Sequence, residues 1–183
     1  MNKEMYLVRR LVLIAICASI IIVGKLIFLS IPNVEVVTFF LIIFSLIFSV
    51  KEALAIAIIY TIVEIYMFSF SEQFYIWSLI VIATNLVKKI FKENFQLWAI
   101  YSGFFGLIFG TLCAIPFFLF YEYFAQNIPK ETGRLTMLAY ILKGLPFDAI
   151  HMVGNYFIML LLGEYVYKLF KKLTKQFLLE RGD

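Results

Sequence analysis

The chain has 183 residues, of which 63% are hydrophobic and 15% charged, and its formal net charge at pH 7 is +4. Soluble domains average about 45–50% apolar and about 25% charged residues, so this composition excludes an ordinary soluble domain. The apolar residues form runs of span length, and no polar stretch is long enough for a second domain.

Six hydrophobic runs follow one another and predict an all-α integral membrane protein, a bundle of six transmembrane helices in one domain over residues 1–183. A span needs roughly 20 residues, and these runs lack the alternation of barrel strands. The first run is interpreted as a span rather than a signal peptide, because no small-residue cleavage site follows it. The predicted spans are about 11–28, 34–50, 52–69, 74–91, 97–123 and 146–169.

The positions of the basic residues predict the orientation of the bundle. Twelve of the 16 Lys and Arg residues lie in segments on the same side of the membrane as the N-terminus. Because basic residues are enriched on the cytoplasmic side, both termini are predicted to be cytoplasmic. The positive charge is thus interpreted as a topology and lipid-contact signal, not as nucleic-acid binding. The 12 residues are Lys3, Arg9, Arg10, Lys51, Lys88, Lys89, Lys92, Lys168, Lys171, Lys172, Lys175 and Arg181.

The connections between the runs are short, except for the last one. Cys17 and Cys113 fall inside apolar runs, so we expect no disulfide. The last connection, about 125–145, contains an apolar stretch, 135–142, that predicts a short interfacial segment. Gly144 and Pro146 follow it, and the proline is predicted to open the last helix.

Polar side chains inside the runs lie mostly in the predicted outer half of the membrane. A polar group in a bilayer costs a few kcal/mol unless it finds a partner, so each of them needs a reason. The position of these polar side chains in the outer half of the membrane predicts a polar cavity that opens to the exterior. The half of the bundle nearer the cytoplasm is predicted to be packed and apolar. The candidate residues are Asn33, Glu35, Glu64, Trp77, Asp148, His151 and Asn155.

The last helix carries the most specific of these patterns. Asp148, His151 and Asn155 follow the spacing i, i+3, i+7, which places them on one helical face. An acid, an imidazole and an amide on one face can hydrogen-bond a small polar ligand. Simpler roles remain open: helix-dipole compensation for Asp148 and Glu35, interhelical hydrogen bonds for His151 and Asn155, and an interfacial position for Trp77.

Two local motifs resemble those of the S components, the substrate-binding membrane subunits of energy-coupling-factor vitamin transporters. They are Asn33-Val34-Glu35, and Gly144 followed by Phe147-Asp148-Ala149-Ile150-His151 and Asn155. The resemblance implies a multi-pass protein of a bacterial plasma membrane that captures a vitamin-like small molecule from outside. It also implies docking on a transmembrane coupling protein driven by two cytoplasmic ATPases.

Small residues on the first helix predict where such a coupling protein would dock. S components usually carry alanines at every fourth position of this helix, and here the stripe contains Ala15 and Ser19, whereas Val23 departs from it. An Ala53-x-x-x-Ala57 pair in the third span is an alternative docking face. The chain has no phosphate-binding Gly-x-x-x-x-Gly-Lys-Ser/Thr loop, so we expect no ATP hydrolysis. The resemblance implies a binding subunit rather than an enzyme. We expect no cofactor and, with one histidine, no histidine-rich metal site.

Two other functions were weighed. Phe147-x-x-x-His151 and His151-x-x-x-Asn155 match two motifs of CAAX-like intramembrane proteases, but the adjacent glutamates of that family are missing. A non-transporting scaffold of the rod-shape MreD type has a similar size and span number, but it has no need for a polar outer cavity. The acidic residues of the candidate site favour a ligand with donors or positive charge, with neutral vitamins left open.

Overall fold

The computed structural model describes residues 3–31, 35–68, 72–119 and 130–179, and in these ranges the chain is helical with no strand. A one-turn 3₁₀ helix, Glu72–Tyr75, leads directly into the fourth α-helix. The α-helices, in chain order, are α1 (Lys3–Phe28), α2 (Val37–Ile47), α3 (Val50–Phe68), α4 (Ile76–Phe91), α5 (Phe95–Leu119) and α6 (Lys130–Leu179).

Four helical segments of the described chain are long and apolar enough to cross a membrane. They are Lys3–Phe28, Gln73–Phe91, Phe95–Pro116 and Leu138–Leu178. At most 44% of the residues in any of their apolar windows are buried inside the protein, so apolar surface remains for lipid to cover. The all-helical, membrane-protein character predicted from composition is therefore confirmed.

Helix α2 differs from the others because it is short and central. It has 11 residues, which at 1.5 Å per residue corresponds to about 16 Å, roughly half of a bilayer core. Eight of its side chains are buried, and it packs against α3, α4 and α6. Its one buried serine, Ser45, donates to the carbonyl of Leu41 at 2.7 Å. The predicted span 34–50 thus becomes a short core helix.

Contacts between helix ends show that successive helices alternate in direction. At one end of the bundle Arg10 at the start of α1 binds Glu52 at the start of α3, and Arg9 binds the carbonyl of Phe177 near the end of α6. We call this the charged end. At the opposite end, which we call the cavity end, Lys25 near the end of α1 pairs with Glu64 near the end of α3. The two ends of the described chain thus lie together at the charged end.

Helices α5 and α6 pack closely because glycines face α6. A Cβ added at Gly106 would lie 2.7 Å from the backbone of His151, and one at Gly110 would lie 2.7 Å from the carboxylate of Asp148. A side chain at Gly106 would therefore push the backbones of the two helices apart, and one at Gly110 would displace the carboxylate of Asp148. The Gly106-x-x-x-Gly110 motif therefore packs within the chain.

The prediction that Pro146 opens the last helix is wrong. Helix α6 begins at Lys130 and contains Pro146, so the stretch 135–142 is part of the same helix rather than a separate interfacial segment. Proline removes one N–H from the helical ladder, but membrane helices tolerate it where neighbouring groups satisfy the freed backbone carbonyl. A Cβ added at Gly144 would meet no atom within 4 Å, so this glycine marks no crowded turn.

Helix α5 contains Pro116, and its surroundings show how such a gap in the ladder is filled. Because proline has no N–H, the carbonyl of Leu112, four residues earlier, lacks its helical donor. The hydroxyl of Tyr75 donates to that carbonyl instead. This hydrogen bond attaches the start of α4 to α5 at the cavity end.

Candidate ligand-binding site

Two adjoining cavities lie at the cavity end of the bundle. The small cavity has a volume of about 170 Å³ and the large cavity one of about 460 Å³. Gln73, Phe109 and His151 line both, so these three side chains form the boundary between them. The small cavity is also lined by Lys25, Glu35, Val37 and Trp77, and the large cavity by Gly110, Cys113, Tyr140, Ile141, Lys143, Gly144, Phe147 and Asp148.

Glu64 is the most completely bonded carboxylate of this region. Its side chain is 3% exposed. It pairs with the ammonium of Lys25 and accepts hydrogen bonds from the hydroxyl of Tyr60 at 2.9 Å and the indole N–H of Trp77 at 2.5 Å. A buried charge is tolerated only with this kind of compensation. Glu64 therefore fixes the orientation of Trp77, which forms part of the small-cavity wall.

Glu35 caps α2 as well as lining the small cavity. Its carboxylate accepts from the backbone N–H of Val37 at 3.0 Å and from the N–H and the hydroxyl of Thr38 at 3.3 and 2.5 Å. A carboxylate at a helix N-terminus satisfies free N–H groups and complements the helix dipole. This geometry matches the capping role considered from the sequence, and a role in ligand binding stays a prediction.

Asp148 reaches the large cavity from the most closely packed part of the α5–α6 pair. It is 3% exposed, and its Oδ1 accepts from the backbone N–H of Gly110 at 2.9 Å. Within the described part of the chain, its Oδ2 accepts no hydrogen bond. Asp148 therefore has one oxygen fixed by the protein and one oxygen left as an acceptor.

His151 stands between the two cavities. Its ring lies 5.4 Å from the ring of Phe109, centroid to centroid, at an angle of 57°. Its Nδ1 is buried and has no hydrogen-bond partner among the described residues. An imidazole nitrogen without a partner, in the wall of a cavity, can bind a polar atom of a ligand or water.

Asn155 lies apart from this site. It is 2% exposed, lines neither cavity, and its Oδ1 has no partner among the described residues. The buried hydroxyl of Ser102 on α5 also lacks a partner in that part of the chain. The shared face predicted for Asp148, His151 and Asn155 thus contributes its first two residues to the cavities. Asn33, a further predicted ligand-binding residue, lies outside the described residues.

Sequence reasoning missed Lys25, Gln73 and Phe109 as parts of this site. Lys25 is not among the 12 basic residues of the predicted cytoplasmic side and was given no role in the site, although a lysine within an apolar helix needs a carboxylate partner. Glu64 on another helix is that partner, so pairing the two buried charges could have located it. Gln73 and Phe109 carried no comparable signal.

Ala15 and Ser19 line a separate apolar groove that runs along α1. The groove has a volume of about 720 Å³ and is bounded by α1, the start of α2 and the middle of α6. The hydroxyl of Ser19 donates to the carbonyl of Ala15 at 2.9 Å, so this polar group is satisfied within its own helix. The predicted docking residues therefore share a surface of small and apolar side chains.

No metal site is formed by the described residues, because they contain no group of three or more His, Cys, Asp and Glu side chains placed to hold an ion. Comparison of the chain with protein-family models, with curated proteins and with solved structures finds no match. The case for a function therefore depends on the cavities and on the residues that line them.

Proposed function

We propose that this protein is the substrate-binding S component of an energy-coupling-factor importer and captures a vitamin-like small molecule. The observation that carries the proposal is the pair of cavities at one end of the bundle. Small-molecule sites combine apolar and aromatic walls with a few placed polar groups and occupy about 300–1,000 Å³. Here Trp77, Phe109 and Phe147 supply aromatic surface, and Lys25, Gln73, His151 and Asp148 supply polar groups.

The polar residues around these cavities come from several helices. Lys25 lies on α1, Glu64 on α3, Trp77 on α4, and His151 on α6. A scaffold protein of the MreD type needs only a folded surface, and its stability gains nothing from polar groups that surround unfilled space. This convergence favours a binding function over a scaffold.

We further propose six membrane crossings with both termini in the cytoplasm of a bacterial cell. In this proposed topology the charged end, with its basic residues, faces the cytoplasm and the cavity end faces outside, in keeping with the enrichment of basic residues on the cytoplasmic side. Single-cysteine labelling tests this proposal in a variant with Cys17 and Cys113 replaced by alanine, because Cys113 lines the large cavity. Cysteines at Lys3 and Lys175 should resist a membrane-impermeant maleimide in intact cells and react after lysis. Labelling of either position in intact cells would contradict the orientation.

The groove containing Ala15 and Ser19 is the proposed contact with the transmembrane coupling protein, whose two ATPases would drive transport. Close packing of membrane helices requires small residues at the contact. Ala15→Phe should therefore abolish uptake in cells that contain the coupling module while leaving ligand binding by the purified protein unchanged. A variant that loses both activities equally would argue against a docking role.

The binding function is tested by thermal unfolding of the detergent-purified protein against a panel of water-soluble vitamins and their precursors. A ligand at 100 times its dissociation constant stabilises the native state by about 2.7 kcal/mol. We expect one compound to do so for the wild-type protein and to lose its effect in His151→Ala and Asp148→Asn. The exposed-surface variant Lys168→Met is the matched control. A folded protein that responds to no compound would favour the scaffold.

A further inference from the structure

The acidic residues of the cavity end are largely occupied by the protein itself. Glu64 is bonded by Lys25, Tyr60 and Trp77, and Glu35 is bonded by the first turn of α2. These two carboxylates therefore have little capacity left for a ligand's donors. The expectation of a ligand recognised mainly through several acidic residues needs to be revised accordingly.

Lys25 offers the small cavity a donor that the sequence had not assigned to it. Its side chain is 23% exposed, and its ammonium lies over the rings of Tyr60 and Phe68 at 5.9 and 5.0 Å. An ammonium has three N–H donors, and within the described residues only the carboxylate of Glu64 accepts from it. A ligand acceptor in the small cavity can take a remaining donor.

That acceptor is better uncharged than anionic. Glu35 lines the same cavity, and Glu64 lies against Lys25, so the positive charge of Lys25 is already balanced. A ligand carboxylate would meet like charges at short range, which disfavours it. A carbonyl oxygen accepts the same hydrogen bond without that repulsion.

In the large cavity Asp148 offers the ligand a hydrogen-bond acceptor, whereas Lys25 in the small cavity offers a donor. Its Oδ2 is an acceptor without a donor in the described part of the chain, whereas Oδ1 is held by the N–H of Gly110. A ligand ammonium or N–H group would satisfy it. Three neighbouring rings line these cavities. Their centroid distances are 5.9 Å from Trp77 to Phe109 and 5.4 Å from Phe109 to His151, and Phe109 and His151 line both cavities.

We propose that the ligand is a flat aromatic molecule with a carbonyl acceptor that binds Lys25 in the small cavity and a basic or N–H donor group that binds Asp148 in the large cavity. The aromatic ring lies against Phe109 and His151. This assignment rests on the proposed binding function and specifies the ligand class.

A matched set of small probes tests the assignment in the detergent-purified protein. The full probe is 4-(aminomethyl)benzamide, which combines a ring, an amide carbonyl and an ammonium. Benzylamine lacks the carbonyl, benzamide lacks the ammonium, and 4-(aminomethyl)cyclohexanecarboxamide lacks the flat ring. Dissociation constants come from thermal shift as a function of probe concentration, and competition is measured against any compound found in the vitamin panel.

Because a hydrogen bond to a charged group contributes about 1.5–3 kcal/mol, the full probe should bind about tenfold or more tightly than either half. Asp148→Asn, which retains an oxygen for the N–H of Gly110, should remove the advantage given by the ammonium. Lys25→Met combined with Glu64→Gln should remove the advantage given by the carbonyl. The double substitution avoids leaving either charge buried alone.

The possible outcomes distinguish an error in the proposed ligand class from an error in the proposed binding function. Benzylamine binding as tightly as the full probe, or a carbonyl advantage that survives the double substitution, would overturn the ligand class. So would a vitamin-panel ligand that the full probe fails to displace, although the binding function would then stand. Failure of both the panel and the probes would overturn the binding function itself.

Discussion

The two ends of the bundle handle charge in different ways. At the charged end, Glu93 and Lys171 form an ion pair at 2.7 Å with side chains 59% and 56% exposed, where solvent shares the work of stabilising them. At the cavity end, Glu64 is 3% exposed and needs three protein donors. Exposed charges tolerate incomplete pairing because water solvates them, whereas buried charges require protein groups that pair with them.

This contrast between exposed and buried charges is the reason for proposing that a ligand binds at the cavity end. The same helices that bury Glu64 also leave donors and acceptors of Lys25, Asp148 and His151 facing cavities. Groups of this kind lower stability unless a ligand or water satisfies them. Four sets of substitutions test this difference between the two ends.

The largest effect is expected for Glu64→Leu. It leaves the ammonium of Lys25 in a largely buried position without a counter-charge, which costs about 3–5 kcal/mol in unfolding free energy. The double variant with Lys25→Met should recover much of that loss. Both are measured by SDS-titrated unfolding. At the charged end, Lys168→Met, which breaks an exposed pair with Glu164, should change nothing measurable. Equal effects at the two ends would refute the contrast.

The next effect is steric and concerns the α5–α6 contact below the cavities. Gly106→Ala places a methyl group within 2.7 Å of the His151 backbone and should cost about 1–3 kcal/mol, because the helices must separate. It should also weaken ligand binding by moving His151. Gly144→Ala is the matched control, since no atom lies within 4 Å of its added Cβ. A neutral Gly106→Ala would show that the two helices do not pack this closely.

A smaller effect is expected at the start of α3. The carboxylate of Glu52 accepts from the N–H of Ser49 at 3.0 Å, which is one half of a capping box. The same carboxylate pairs with Arg10. Glu52→Ala should lower the unfolding free energy by about 1 kcal/mol. Glu52→Gln retains an acceptor for the Ser49 N–H and should lose less. If both variants lose the same amount, the ion pair rather than the cap is responsible.

The smallest effect depends on pH. Hydrogen bonds from Lys171 and Tyr167 hold the pKa of Glu93 below its ordinary value of 4.5. This contribution to stability is therefore complete above that value and is lost as the pH falls through the lower pKa of the folded state. For an exposed pair it amounts to less than about 1 kcal/mol. Wild type and Glu93→Gln should differ slightly at pH 7 and converge in acid; a constant difference would exclude this cause.

The sequence predicted the helices and the common depth of the polar residues better than it predicted their partners. Hydropathy located α1, α4 and α5 because lipid contact requires continuous apolar runs. It placed Glu64, Trp77 and His151 at one end of the bundle, and the structure agrees. It missed Lys25 as the partner of Glu64, because a pair 39 residues apart depends on how α1 packs against α3. Pro146 was misread because local propensity is overridden inside a long helix.

If the cavity end binds a small molecule, part of it should stay bound while the protein is purified and can then be identified. The protein would be purified from cells grown in vitamin-rich medium, and its bound small molecules would be extracted and identified by mass spectrometry. A folded His151→Leu variant, checked by circular dichroism, would be treated in parallel. We predict one compound in near-stoichiometric amount with the wild-type protein and its loss from the variant. No compound above the level found with the variant would contradict the account.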